Sequence, residues 1–392
     1  MRKVSVEIAA VLSMAVFLFK QRYSGFAQFL VGTVQMDSRP TITKVATNSS
    51  IIMTQHHPQE APKLRPMAGK CTSEQLELIT EMLPDRNKLQ DETACPDPTW
   101  MTDGPWLSNL KREGEPLVAI YVGCNKGMNA VDTLRMFSHD TKYDKPTWKK
   151  AIEASIGGCG QHDSPQFNIK SESQPRPAHV HCIEAMPSTY YRLEKSTKQM
   201  GWSDTFHVHH RAMADSDGVI AFPNARPGTE YLGVYACNAN ERWSETCQNV
   251  PKTSLDSFAA AESATTLKES WLIDFLSVDT EGSDWLVLKG APQVLSRTKY
   301  LEFEHHIVGE WQNTNLSTAI DFLIPFNFVC YWAGADKLWR ITECYRNEYN
   351  SMKGWSNVAC ANLYRAPELA HDMEKLFLRT LERYKRSKVN RQ

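Results

Sequence analysis

Short apolar runs bounded by glycine or polar turns alternate along this chain with stretches in which large apolar residues recur every three or four positions. LVAIYV, residues 117–122, is apolar throughout and suits a strand buried on both faces. MNAVDTLRMF, 128–137, follows it with Val131, Leu134 and Phe137 on one helical face. AHVHCIEA, 178–185, predicts a second strand ending in an acid, with a helix from Pro187 through Leu193. FHVHHRAMA, 206–214, predicts a third, followed by the turn DSDG at 215–218 and a short strand VIAF. WLIDFLSV then runs into Asp279, SDWLVLKGAPQVL has the look of a helix, and YLEFEHH, 300–306, is the next strand. Strands alternating with helices predict an α/β domain: a mostly parallel sheet with helices on both faces, rather than a sandwich or a bundle.

The flanks carry a different pattern. Residues 72–84 have helical spacing through Leu76, Leu78, Ile79 and Met82, with Ser73 as the expected cap, so 71–114 reads as a helical lead-in. The core is expected over 115–310, interrupted by a polar excursion at 139–177 that contains GGCG at 157–160. Residues 311–370, with apolar stretches such as FNFVCYW, read as a C-terminal extension, and 371–392 as a charged helical tail whose stripe is Met373, Leu376, Phe377 and Leu381.

Composition narrows the picture at the N-terminus. Met1-Arg2-Lys3 precedes IAAVLSMAVFLF and then Lys20-Gln21-Arg22, a basic start and an apolar run short of the roughly 20 residues of a membrane span. Residues 1–22 therefore read as a signal anchor or a signal peptide, and the polar stretch 23–70 as a stem. The expectation is a secretory-pathway protein, in a Golgi or ER membrane with its catalytic domain lumenal, or secreted if cleaved. Two N-glycosylation patterns, at Asn48 and Asn315, suit this. So do ten cysteines, of which Cys71 with Cys95, Cys237 with Cys247 and Cys344 with Cys360 are neighbours in sequence, although spacing does not settle connectivity. Cys124 and Cys182 sit at expected strand ends and read as buried thiols. A net charge of −1 gives no global field for nucleic acid.

Chemistry is sought just beyond the apolar runs, because open sheets bind ligands past the C-terminal ends of parallel strands. Gly123 lets the chain turn after the first strand, Gly127 relieves crowding at the helix start, and Glu184 can accept two hydrogen bonds from ribose hydroxyls. That set points to a nucleoside cofactor. It is no Walker A, since no Gly-Lys-Ser/Thr follows, and no regular dinucleotide fingerprint, since Glu184 lies about sixty residues on where roughly twenty is usual. Asp279 and Glu281 flank a threonine at another strand end, while Glu302 and Glu304 share a strand face with His305 and His306 following. His207 and His209 share a face too, but no third ligand is evident and no metal site is assigned.

One stretch is specific. IDFLSVDTEGSDWLVLKGA, 273–291, resembles the signature of the FkbM-type methyltransferases, supported in order by AIYVGCNKG, CIEAMPSTYYRL, RAMADSDGVIAF and TSLDSF. The likeness covers about half the chain, 115–306. It implies a Rossmann-like class I methyltransferase sheet, S-adenosyl-L-methionine as cofactor, and O-methylation of a glycan or other small polar acceptor. Carried over, it places Gly123, Cys124, Asn125 and Gly127 around the methionine end, Glu184 on the ribose, and Asp256 near the adenine or in support. Asp279 and Glu281 then lie beside the sulfonium or substrate. Asp279 is the expected central acid, with Glu304 or His305 as proton acceptor. Tyr121 stands where the family usually has an acid. Trp332, Trp339 and Trp355 read first as core-packing residues, with stacking on sugar rings the alternative. Two other readings stay open: a lumenal metal-dependent glycosyltransferase using DSD at 215–217, and a non-catalytic glycan-binding ectodomain.

Overall fold

The computed structural model describes residues 69–94, 115–153, 176–230, 237 and 247–390. The expected anchor or signal peptide at 1–22 and nearly all of the stem at 23–70 lie outside them. The lead-in supplies two helices, α1 (Ser73–Met82) and α2 (Arg86–Thr93). The cap of α1 is Thr72 rather than Ser73: its side chain accepts from Gln75 N while the Gln75 side chain returns to Thr72 N. Then follow β1 (Leu117–Val122), α3 (Met128–Ser138), α4 (Lys145–Ile152), β2 (Ala178–Glu184), α5 (Pro187–Met200), β3 (Phe206–His210), β4 (Ala212–Ala214) and β5 (Gly218–Pro223). Beyond them lie β6 (Cys247–Ser254), α6 (Leu255–Glu262), β7 (Ile273–Val278), α7 (Asp284–Lys289), α8 (Pro292–Ser296) and β8 (Thr298–His305). The chain closes with α9 (Leu316–Leu323), β9 (Phe328–Ala333), β10 (Leu338–Arg340), β11 (Ser356–Asn362) and α10 (Pro367–Val389).

The mostly parallel sheet expected from the sequence is corrected by the strand pairing. The main sheet is mixed, in the order β10-β9-β11-β8-β7-β1-β2-β3. Pairing is parallel from β8 through β7, β1 and β2 to β3, and antiparallel where β11 joins both β8 and β9 and where β9 joins β10. A run such as FVCYWA is buried along its whole length, and full burial looks alike in parallel and antiparallel strands. A smaller sheet, β4-β6-β5, takes the end of the expected third strand, which breaks at Arg211. Its central strand β6, CQNVPKTS, is too polar to stand out by hydrophobicity.

Two features of the parallel half set up a site. β1 continues outward to β2 and β3 on one side, while the later strands β7 and β8 pair on its other side, so strand order reverses beside β1. The register pairs Val122 with Ile183, Val122 with Val278, and Val278 with Phe303. The next residues, Gly123, Glu184, Asp279 and Glu304, therefore stand in one row across four adjacent strands, spanning about 14 Å at the usual strand spacing.

The excursion at 139–177 is partly integral to this fold. Trp148 of α4 is fully buried, stacks on Trp202 at 5.5 Å, and donates Nε1 to Lys126 O at 2.8 Å. Residues 154–175 lie outside the described set. Trp332 and Trp339 are fully buried, the core-packing reading rather than the sugar-stacking one. At the other end of the sheet, buried Arg340 donates to Glu374 Oε1 of α10 at 2.7 Å and to Gly69 O at 2.9 Å, tying lead-in and tail to β10.

Disulfides join Cys71 to Cys344, Cys124 to Cys182, Cys237 to Cys247 and Cys330 to Cys360, and no described cysteine is free. Only Cys237–Cys247 among the sequence-near pairs is formed; Cys71 instead reaches across 273 residues, because the lead-in packs on the C-terminal half. Cys124 and Cys182 are not thiols: Tyr121 pairs with Cys182 in the sheet, and the turn at Gly123 brings Cys124 back over its neighbour strand. Among the described residues no helix is long and apolar enough to cross a membrane, so they supply no span for the membrane and signal-anchor expectation; the segment expected to carry it, 1–22, lies outside them.

Four histidines stack between β2, β3 and α6. His179 Nδ1 meets His207 Nε2 at 3.0 Å, and His181 Nδ1 meets His209 Nε2 at 3.2 Å. Burial holds all four below the ordinary imidazole value of 6.5, His207 and His209 at about 4. Between pH 6.5 and about 4 the unfolded chain then binds more protons than the folded one, so this stabilisation is present above pH 6.5 and lost on acidification. His207→Gln should flatten the fall of melting temperature across that window; superimposable pH curves for the variant and the parent protein would show that the stack does not titrate with folding.

Candidate functional site

Gly123 has φ +82°, and a Cβ placed there would lie 1.6 Å from the Asp279 carbonyl oxygen. The turns after β1 and β7 are thus pressed backbone to backbone, with Asp279 N donating to Val122 O at 2.9 Å. On the other side, Gly123 N and Cys124 N both donate to Ile183 O, at 3.0 and 3.1 Å. Asn125, at φ +47°, turns its amide onto Glu184 Oε2 at 2.8 Å, and Met186 N donates to Glu184 Oε1 at 2.8 Å. One backbone donor per oxygen fixes the Glu184 carboxylate and leaves each oxygen a further lone pair. Burial raises its pKa above the ordinary carboxylate value.

These residues line a cavity of about 390 Å³ along the row of strand ends. Gly123, Cys124, Asn125, Glu184, Asp279, Glu281 and Glu304 all contribute to its wall. The β8 end is acidic. Glu281 sits at φ +53°, and the loop carrying it is held by Asp284, whose carboxylate accepts Thr280 N and Gly282 N at 3.2 Å each. Burial lifts Asp284 to about 7. Burial first, and then repulsion from neighbouring carboxylates, raises Asp279 and Glu304 well above their ordinary values. Like charges this close favour retention of protons within the group.

Three residues chosen from the sequence do not line the cavity. Gly127, at φ +68°, is the N-cap of α3, where a Cβ would press on Leu193, Phe206 and Trp148, so it shapes the turn from behind. Asp256 accepts Gln293 N and Val294 N at 2.9 Å each, capping α8. His305 is fully buried, edge-on to Trp311 at 4.9 Å, with no hydrogen-bond partner on either ring nitrogen; burial, then Lys353 and His306, push it down to about 3. Its neighbour His306 faces the acids instead, with Nε2 3.6 Å from Glu304 Oε2.

Other wall residues were missed. Glu230 accepts from Asn125 Nδ2 at 3.2 Å and pairs with Lys126; Arg211 follows β3; Gln90 and Ala94 come from the lead-in. The Lys126-Asn125 pair beside the glycine turn was the available hint, but nothing local says that residue 230 folds back onto it. Of the three tryptophans, Trp355 alone reaches the wall. Tyr121 also lines it, yet its hydroxyl is shared with Thr133 Oγ1 at 2.6 Å, and burial holds it protonated.

The DSD string is occupied structurally. Asp217 accepts Ser254 N and Thr253 Oγ1 at 2.8 Å each, and Asp215 pairs with Lys289 at 2.8 Å. This leaves the metal-dependent glycosyltransferase reading without its motif.

Residues 158–328 match the family model described as Methyltransferase FkbM domain. Neither a curated protein nor a solved structure matches the chain. The matched stretch contains β2 through β8 and with them Glu184, Asp279, Glu281 and Glu304, while β1 and its glycine turn precede it.

Gly123→Ala should abolish ligand binding at this cavity, because the methyl group meets backbone on the facing turn rather than a side chain that could move aside. The loss should exceed 10-fold in cofactor affinity by calorimetry, on the order of 1.4 kcal/mol or more. A variant that binds as the parent protein does would contradict the close approach.

Proposed function

We propose that this chain, an S-adenosylmethionine-dependent methyltransferase of the FkbM type acting on a polar acceptor, transfers its methyl group to a hydroxyl of a glycan or similar small acceptor within the secretory pathway. The observation that carries the reading is the row Glu184, Gly123, Asp279 and Glu304 along one cavity. Four disulfides among the described residues support an oxidising compartment.

The residues fit the cofactor. Glu184 has lone pairs left for a vicinal diol, and bare backbone at Gly123 permits close approach. Asn125 Oδ1 and Asp279 Oδ1 are buried oxygens without a hydrogen-bond partner, suited to an amine or a cationic centre. The cofactor supplies an electrophilic methyl group on sulfur, which becomes a neutral thioether as the acceptor oxygen takes the methyl.

The protein's part is alignment, exclusion of water and removal of one proton. Glu184 would hold the ribose at the β2 end, and Asp279 and Glu304 stand two and three strand spacings along the row, where the reacting groups would meet. A carboxylate there whose pKa is raised by burial and neighbouring acids takes a hydroxyl proton more readily than an ordinary one. Trp355, half-buried in the wall, offers an apolar face to a sugar ring, and the acids accept its hydroxyls.

Asp279→Asn should leave the melting temperature near that of the parent protein and lower methyl transfer on the order of 100-fold or more. Unchanged turnover would remove Asp279 from the reaction. Glu184→Gln should act differently, weakening cofactor binding about 10-fold or more with a smaller effect on the rate at saturation, since one backbone amide loses its acceptor. Equal losses in both parameters would place Glu184 at the reacting end.

A further inference from the structure

The β8 end of the cavity gathers the carboxylates of Asp279, Glu281, Asp284 and Glu304. Among the described residues, no lysine or arginine forms an ion pair with Asp279, Asp284 or Glu304. Into this group projects His306, fully buried, with Nε2 lacking any hydrogen-bond partner. Nε2 lies 3.6 Å from Glu304 Oε2 and 3.9 Å from Asp284 Oδ2. The ring plane is set by Trp355, stacked at 5.5 Å and 8°, and by Val308 N, which donates to Nδ1 at 3.2 Å. Glu281, Glu304 and His306 each offer one ligand atom, all within 4.8 Å of one another.

We propose that Glu281, Glu304 and His306 bind a divalent transition-metal cation, of the manganese or zinc type, at the acceptor end of the cavity. Ligand atoms about 2.1 Å from a tetrahedral metal lie about 3.4 Å apart, so inward shifts of roughly 1 Å or less would close the set. Two carboxylates and one imidazole make a mixed oxygen and nitrogen donor set, matched to such metals better than to calcium. A singly charged sulfonium would answer the carboxylates but leave the imidazole nitrogen unused. In the cation-free state Nδ1 accepts from Val308, so Nε2 carries the ring proton. The cation takes Nε2, the ring's single proton passes to Nδ1, and the one long hydrogen bond that Nδ1 accepts from Val308 N, in a partly exposed bend, is given up. The purpose of the site rests on the methyl-transfer reading: an acceptor hydroxyl ligated to the cation loses its proton to Asp279 or water more easily. The site itself does not rest on that reading.

The test is calorimetric titration of the EDTA-stripped full chain with manganese chloride, and separately with zinc and magnesium chloride, in the absence of cofactor. Manganese paramagnetic resonance on the same samples reads the occupancy. The expected result is one manganese or zinc ion per chain, with affinity lowered at least 10-fold in Glu281→Gln and in His306→Gln. Failure of manganese and zinc to bind, or equal binding by both variants and the parent protein, overturns the proposal. Should His306→Gln not fold, judged by its melting curve, Glu281→Gln on the exposed-side loop decides alone. Loss of cofactor binding by the parent protein would strike the methyltransferase reading instead and leave the cation result standing.

Discussion

The backbone contact between Gly123 and Asp279 is the constraint on which the site depends. Neither turn can retreat, because Asp279 N is bonded to Val122 O while Gly123 N and Cys124 N are bonded to Ile183 O. The three turns therefore form one layer at the strand ends, and the side chains that leave it are aimed by sheet register rather than by loop packing. The Cys124–Cys182 bridge and the Trp148 bond to Lys126 O hold the same loop from behind. Restraint from two sides matters here, since Asn125 occupies a left-handed conformation that costs an ordinary residue about 1–2 kcal/mol. Its reward is an amide placed on Glu184.

Charge is distributed unevenly along the cavity, and the difference separates its two ends. At β2 the carboxylate is buried but answered by two backbone amides, so it behaves as a fixed acceptor. Toward β8, Asp284 has backbone donors and serves the loop, whereas Asp279 and Glu304 are surrounded mainly by other acids. Buried carboxylates without partners are costly, and a protein keeps them where a ligand will supply the missing charge or where a proton must move. Glu281, in a second strained left-handed conformation, adds to that end.

Much of the parallel half was legible from residues. LVAIYV, CIEA and IDFLSV are apolar runs that stop at a glycine or an acid, and these stops fall in register once the strands pair. The motif at 273–291 marked Asp279 and Glu281, and both line the cavity. What could not be read was contact between distant segments. Asp256 has the sequence neighbourhood of a site residue but spends both oxygens on the start of α8, and His305 points away from the acids that His306 faces. One position along a strand end was enough to exchange the two histidines. Two of the three sequence-near cysteine pairs failed for the same reason, as Cys71 bonds Cys344 far along the chain and Cys360 bonds Cys330, while Cys237–Cys247 is formed.

The mixed sheet explains why the acceptor end was the harder half to anticipate. Had the sheet stopped at β8, its edge would have been open; β11 instead inserts between β8 and β9 and pairs antiparallel with both. Asn357 of β11 donates to Glu302 at 2.9 Å, which satisfies the acid two positions before Glu304, and Tyr300 donates to the same carboxylate at 2.8 Å. The residue just before β11 is Trp355, in the cavity wall against His306. The antiparallel addition thus quiets one acid of β8, brings an aromatic face to the next, and leaves Glu304 exposed to the ligand space. The β1–β2 end is built by short-range turns with recognisable residues, while the wall that meets the acceptor is assembled by strands whose direction no local pattern records.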